Sequence, residues 1–257
     1  MTNLETIEKL KNSIYPIVTF LTVIVVWQVT VVQFNVPSYI LPKPTDIVRV
    51  FFSDYNNLCI HSMVTIYESI IGFLMSISFA FVIGIAMDFI PILRKCFYPI
   101  TLVTQMIPTI IIAPLFMIWF GFGILPKVLM VSLTCFFPIL ISFVDGMETI
   151  DIDYLNLFKT MKASRFKTFI HLKFPMSLDK LFSGLKISAT YAVMAATVAE
   201  WLGGTKGLGV YMVRAKSAYA LDKVFASTIL VIIFSLISVE IIMLINKLVF
   251  KYRTKKM

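Results

Sequence analysis

Two histidines, His61 and His171, and three cysteines, Cys59, Cys96 and Cys135, are the only nitrogen and sulfur side chains in the 257 residues suited to a transition metal. The cysteines stand far apart from one another, as do the histidines, in neither CxxC nor HExxH spacing, so no metal centre, disulfide framework or histidine base is indicated. No GxSxG turn is present to expose a nucleophilic serine. The run Gly203-Gly-Thr-Lys-Gly-Leu-Gly209 comes nearest to a phosphate-cradling loop. It lacks the GxxxxGK spacing followed by Ser or Thr, and it follows an apolar helix rather than a strand. The chain is therefore expected to do no bond chemistry and to hold no cofactor. If it pumps a solute, the energy has to come from a separate ATPase.

The remaining polar residues of interest lie within apolar runs, where a charge is costly unless it is paired, faces a cavity or snorkels to the boundary. Lys186 and Glu240 fall at similar depth near the inner ends of the last two runs, where an ion pair between helices and simple snorkelling of Lys186 are both open. Glu68 and Glu200 lie toward outer ends, where water contact makes a carboxylate cheap. Glu200 precedes the glycine-rich run and is a candidate for the wall of a translocation route. Gln105, close to Pro108, is the polar side chain expected to face the same route.

Membrane helices have to carry these residues. The chain is 59% hydrophobic and 14% charged, against about 45–50% and about 25% in an average soluble domain. Its mean hydropathy is +0.90, which excludes a soluble globule. A span needs roughly 20 mostly apolar residues, and six such runs are legible at 16–34, 61–87, 100–120, 128–144, 181–202 and 224–245. The first follows a polar opening, is too long for a signal-peptide core and has no small-residue cleavage site, so it is expected to stay as a span. The expected fold is all-α and polytopic, one transmembrane domain over 1–257, with an N-terminal span at 16–34, core spans within 61–245 and a long loop at 145–180.

The net charge of +9 has a matching explanation. With the N-terminus inside, Lys9, Lys11, Arg94, Lys95, Lys159, Lys162, Arg165, Lys167, Lys173, Lys180, Lys247, Lys251, Arg253, Lys255 and Lys256 fall on cytoplasmic segments, against Lys43, Arg49, Lys127, Lys206, Arg214, Lys216 and Lys223 on outer loops. Positive charge orients spans in this sense and sits beside an anionic leaflet, so both termini are expected in the cytoplasm and nucleic acid is not an expected partner. Pro108, Pro114 and Pro138 remove helix hydrogen bonds within the third and fourth runs. Such breaks either line a wet pathway or kink a helix for packing.

Asp145 to Lys180 is the longest segment outside the runs. Wound as a helix from an Asp151 or Asp153 cap, it places Tyr154, Leu157, Phe158 and Met161 on one face, with Asp153, Asn156, Lys159 and Thr160 opposite. Beyond Lys162 and Ala163, Ser164 is a cap for a second short helix containing Arg165, with Phe166, Phe169 and Ile170 on its apolar face and Pro175 as its end. Two short amphipathic helices on the basic side fit equally an interfacial pair lying on lipid and a docking element for a partner's groove.

Three stretches in order resemble the permease subunits of type I ABC importers. Their cytoplasmic loop has Glu-Ala-Ala, three residues, Gly, nine residues, then Ile-x-Leu-Pro. Here the register runs from Asn156, Leu157 and Phe158 through Lys162 at the Gly position to Leu172, Lys173, Phe174 and Pro175. The spacing and final proline match, whereas Asn-Leu-Phe replaces Glu-Ala-Ala and Lys replaces Gly. Lys162 takes a positive φ less cheaply than Gly, so the angle of the loop is a point to test. Ser183 to Ala189, Ala199 to Gly209 and Pro37 to Asp46 are similar to the taurine, sulfonate, nitrate and thiamine-precursor branch.

The resemblance implies an ABC ATPase dimer docked on 151–175, an external binding protein that delivers substrate, and a second copy of this chain enclosing the pathway, all in a plasma or inner membrane. Within the branch, the pattern is closer to importers of the hydroxymethylpyrimidine thiamine precursor than to those of taurine, sulfonates or nitrate. An ion-coupled secondary transporter is the competing class. Such proteins usually show repeated halves and midplane ionisable residues, and no internal repeat is evident here.

Overall fold

The structure, a computed structural model, describes residues 3–250, with side chains from residue 14. The side chains of Lys9, Lys11, Lys251, Arg253, Lys255 and Lys256, counted above for orientation, lie outside the described residues. Among the described residues every regular element is helical. Five helical stretches are long and apolar enough to cross a membrane: Ile14–Gln33, Tyr55–Phe89, Ile124–Glu148, Arg165–Leu202 and Leu221–Phe250. A bent pair, Pro91–Thr104 with Thr109–Phe120, makes a sixth if it is counted as one span. The all-α polytopic expectation therefore holds.

The chain divides into two compact units. The first comprises residues 1–59 and 211–229. In it, α1 (Asn3–Gln33) meets α2 (Pro44–Ser53), whose proline at the first turn needs no N–H partner. The Thr45 amide donates to Gln28 Oε1 at 3.3 Å, and Trp27 packs on Phe225 with ring centroids 5.5 Å apart. Asp54, just beyond α2, is the polar hub of this unit. Its carboxylate accepts from Tyr211 Oη at 2.7 Å, Lys223 Nζ at 2.8 Å and Asn57 Nδ2 at 2.6 Å. Burial pushes the Asp54 carboxyl upward, but these three donors outweigh it and hold its pKa below the ordinary 3.8.

The second unit, residues 60–210 and 230–257, is organised around α6 (Ile124–Glu148) and α9 (Phe174–Leu202), its most extensively packed pair. Small residues let these helices approach closely, as membrane helices do without a strong hydrophobic drive between them. At Gly184 an added Cβ would stand 2.6 Å from the Pro138 carbonyl oxygen, so no other residue fits there without moving α6. Ser188 Oγ donates to the Cys135 carbonyl at 2.8 Å, and Cys135 Sγ donates back to the Ser188 carbonyl at 3.3 Å. Phe143, Ile139 and Leu140 fill the fully buried centre, with Phe81 tilted against Phe143 at 5.0 Å.

Two sequence expectations need correction, and one open alternative is decided. The run expected as one span over 100–120 is two helices, α4 (Pro91–Thr104) and α5 (Thr109–Phe120), bent by 103°. Pro108 disfavours helical geometry at Ile107 and lacks an N–H, so the break at 105–108 is a full corner rather than a kink. Pro175 does not end the second loop helix. The chain stays helical from Arg165 to Leu202 through a π turn at Phe169–Lys173, in which the Phe174 amide bonds to the Phe169 carbonyl. The wider turn just ahead of the proline relieves the crowding its ring would cause. Finally, Lys186 and Glu240 do not pair: none of the ion pairs among the described residues joins them, Lys186 is half-buried and Glu240 is exposed. Matched depth says nothing of azimuth, and α9 turns its packed face to α6 instead.

Candidate functional site

The loop between α6 and α9 forms as two short helices at a sharp turn. Asp151 caps α7 (Ile152–Thr160) by accepting from the Asp153 amide at 3.0 Å, and Ser164 caps α8 (Arg165–Thr168) by accepting from the Lys167 amide at 3.3 Å. Between them the Lys162 amide bonds to the Lys159 carbonyl at 2.9 Å and the Ala163 amide to the Phe158 carbonyl at 3.0 Å. This is the paired-bond helix ending that wants a left-handed residue at its corner. Lys162 supplies it with φ at +52°. The position where the resembling motif has Gly is thus the left-handed one, and the substitution leaves the turn intact at the cost of strain.

On this loop Tyr154, Leu157, Met161 and Phe166 are exposed, Met161 at 70% and Phe166 at 61%. Phe158 and Ala163 are half-buried, Lys162, Ser164 and Arg165 are exposed, and Phe169 is buried in the core of the second unit. Pro175 is half-buried at the root of α9. Lys173 in the π turn pairs with Asp88 at the end of α3 (Tyr55–Phe89), Arg94 pairs with Glu148, and Tyr98 Oη donates to Asp145 at 2.6 Å. These ties join the π turn to the end of α3, and α4 to the end of α6.

Gln105 closes α4 and Pro108 opens α5, which places both at the corner of the bent pair. Gln105 lines a cavity of about 350 Å³ together with Thr104, Thr134 and Tyr191. Pro138 contributes to the same wall. The corner of the bent pair, Pro138 and these polar side chains thus border one space.

Glu200, expected beside that pathway, is 1% exposed and serves the glycine-rich loop instead. Its Oε1 accepts from Thr65 Oγ1 at 2.7 Å and its Oε2 from the Gly209 amide at 2.6 Å. The Leu208 amide donates to Thr65 Oγ1 at 2.8 Å, and the Gly207 amide donates to His61 Nδ1 at 2.9 Å. Gly207 has φ at +124°, and a Cβ there would stand 2.1 Å from the Glu200 carboxyl carbon. Beside this clamp Lys127 Nζ meets Glu68 Oε1 at 2.7 Å, with side-chain exposures of 5% and 0%.

Lys127, expected in an outer loop, and Glu68 and Glu200, expected to contact water, are all buried, and a buried charge persists because it is paired and hydrogen-bonded. Glu68 inside an apolar run was the available signal, since a carboxylate that packing buries there demands a cation. Its partner lies 59 residues away, in a stretch expected to be loop.

Comparison with known proteins gives a consistent set of likenesses. Residues 72–251 match the family described as "Binding-protein-dependent transport system inner membrane component". A Haemophilus influenzae protein named "Probable ABC transporter permease protein" is 29% identical over 221 residues, 86% of this chain and 90% of its own. The formylaminopyrimidine transport permease protein ThiX of Halalkalibacterium halodurans is 30% identical over 246 residues, 95% of this chain and 98% of its own. The taurine transport system permease protein TauC of Escherichia coli is 26% identical over 208 residues, 78% and 75% of the two chains.

Proposed function

From the premise that this chain belongs to the binding-protein-dependent transport system inner membrane components, the permease subunits of ABC importers, we propose that it forms the membrane pathway for a pyrimidine precursor of thiamine. As a member of that family it is a multi-pass membrane subunit that works with a separate ATPase and an external binding protein, and it is not itself the ATPase. In our reading the whole chain acts as one permease domain, two copies enclose the pathway, and both termini face the cytoplasm. An ATPase dimer grips Tyr154, Leu157, Met161 and Phe166, with Phe158, Lys162, Ala163, Ser164, Arg165 and Pro175 shaping the surface it meets. Closure of the ATPases moves α7 and α8 as levers, and the spans alternate access between the two sides. Gln105 and Pro108 border the path. Glu200 acts behind it, by holding the outer loop.

The observation that carries the docking reading is the uncovered apolar row on α7 and α8, a helix face of the kind that fills a partner's groove. Met161→Asp and Phe166→Asp put charge into that groove at exposed positions, so insertion should be normal while substrate-stimulated ATP hydrolysis falls. A hot spot of this kind is worth about 2 kcal/mol or more, which is roughly thirtyfold in docking. Undiminished stimulated hydrolysis in both variants would sink the reading.

For cargo, the similarity to ThiX favours a pyrimidine. An anionic cargo such as taurine, a sulfonate or nitrate would want a free cation deep in the spans. Lys127 is committed to Glu68, and Lys186 is half-buried on α9. Uptake of labelled hydroxymethylpyrimidine by cells carrying the full operon should depend on this subunit and uptake of taurine should not. The reverse pattern would retire the pyrimidine and leave the permease assignment standing.

A further inference from the structure

Beneath α7 two adjoining cavities, of about 540 and 470 Å³, share Asp88 and Lys173 among their walls. Their mouths lie where α3 and α6 end and α4 begins, at the ends of three membrane helices. The acidic groups there are already engaged: Asp88 with Lys173, Glu148 with Arg94, and Asp145 with the Tyr98 hydroxyl. Lys95 lines the first cavity, and Lys159 and Arg165 line the second. None of these three belongs to an ion pair among the described residues. Three cations outside the ion pairs of the described residues thus border the two adjoining cavities at the ends of these helices. Ile90, Ile92 and Phe97, on and just before α4 beside the mouth, are exposed.

We infer that this double cavity binds the phosphate of an anionic phospholipid headgroup. Lys95, Lys159 and Arg165 recognise the charge, and the acyl chains lie along Ile90, Ile92 and Phe97. A free phosphate ion satisfies the cations equally well but gains nothing from the apolar flank, whereas a lipid uses both. Basic pockets between membrane helices at the bilayer boundary are suited to such headgroups. A lipid held here bridges α4 to the loop helices α7 and α8. The site shares Arg165 with the surface proposed for the ATPase, so lipid is read directly on the chain alone.

The test uses the full chain in detergent, with phosphatidylglycerol, phosphatidylcholine and soluble glycerol 3-phosphate as probes, and native mass spectrometry to count bound molecules. The wild type should retain phosphatidylglycerol at least about tenfold better than phosphatidylcholine. Each basic residue near an anionic lipid contributes roughly fivefold. Lys95→Gln, on α4 and away from the loop, should therefore lose about fivefold by itself. The triple change Lys95→Gln, Lys159→Gln and Arg165→Gln should abolish the preference. The charge-keeping triple Lys95→Arg, Lys159→Arg and Arg165→Lys should restore it, which separates charge recognition from misfolding. Equal retention by the wild type and the Gln variants overturns the site. Displacement of phosphatidylglycerol by glycerol 3-phosphate at equal concentration overturns the lipid as its source.

Discussion

Lys127→Met removes the cation from a pair whose side chains are 5% and 0% exposed and 2.7 Å apart. Breaking such a pair from one side strands a buried charge and costs about 3–5 kcal/mol, much more than an exposed pair would. Glu68 Oε1 then loses its only cation and is left with Glu200 as its remaining side-chain partner. Glu200 is in electrostatic contact with both Glu68 and Lys127, so the change also leaves two carboxylates facing each other with no cation between them. At roughly 2–4 °C per kcal/mol for a chain of this length, the melting temperature of the detergent-solubilised subunit should fall by about 6–20 °C. Hydrogen exchange adds a local readout. The amides of Gly207, Leu208 and Gly209, which donate to His61, Thr65 and Glu200, should exchange faster while amides in the α6–α9 core stay protected. The double change Lys127→Met with Glu68→Gln should recover part of the loss, by about 1–3 kcal/mol relative to the sum of the single changes. Additive losses together with unchanged exchange in the glycine loop would show that the pair neither couples nor holds the loop.

Gly207→Ala introduces a Cβ at φ +124° and 2.1 Å from the Glu200 carboxyl; about 1–3 kcal/mol of strain is expected, read as faster exchange across 203–209 and reduced uptake, and normal exchange would count against the clamp. Lys162→Gly relieves a left-handed lysine at φ +52°, which costs about 1–2 kcal/mol for a residue with a Cβ. Glycine's extra unfolded-state entropy offsets about half of that, so a net gain of up to about 1 kcal/mol in thermal stability is expected and a lowered melting temperature would contradict the turn geometry. Asp54 has a folded pKa below its ordinary 3.8, so the unfolded chain takes up its proton first on acidification. Its stabilisation is therefore complete above the ordinary value and disappears as pH falls through the folded one. Asp54→Asn should flatten the acid limb of the stability profile below about pH 4, and identical limbs in the two proteins would refute the hub.

Local physics made a large part of this protein readable in advance. Membrane spans follow from the length of apolar runs, and caps follow from residues next to the turn they close, so the long helices and the Asp151 and Ser164 caps were legible. The same holds for the apolar row on α7, a matter of spacing along one helix. Pro108 marked a break, but whether a proline kinks a helix or turns a corner depends on what the next segment packs against, and here the corner is 103°.

The polar clamp belongs to the other kind of information. His61 and Gly207 are 146 residues apart, and Thr65 and Glu200 are 135. Hydropathy reports how deep a residue sits along its own span and nothing about the direction in which it points. Lys186 and Glu240 satisfied the depth criterion without meeting, whereas Lys127 and Glu68 met despite one of them reading as loop. Which charges share a buried space is settled by the azimuth of each helix, and azimuth is set by packing, by contacts as close as Gly184 on the Pro138 carbonyl.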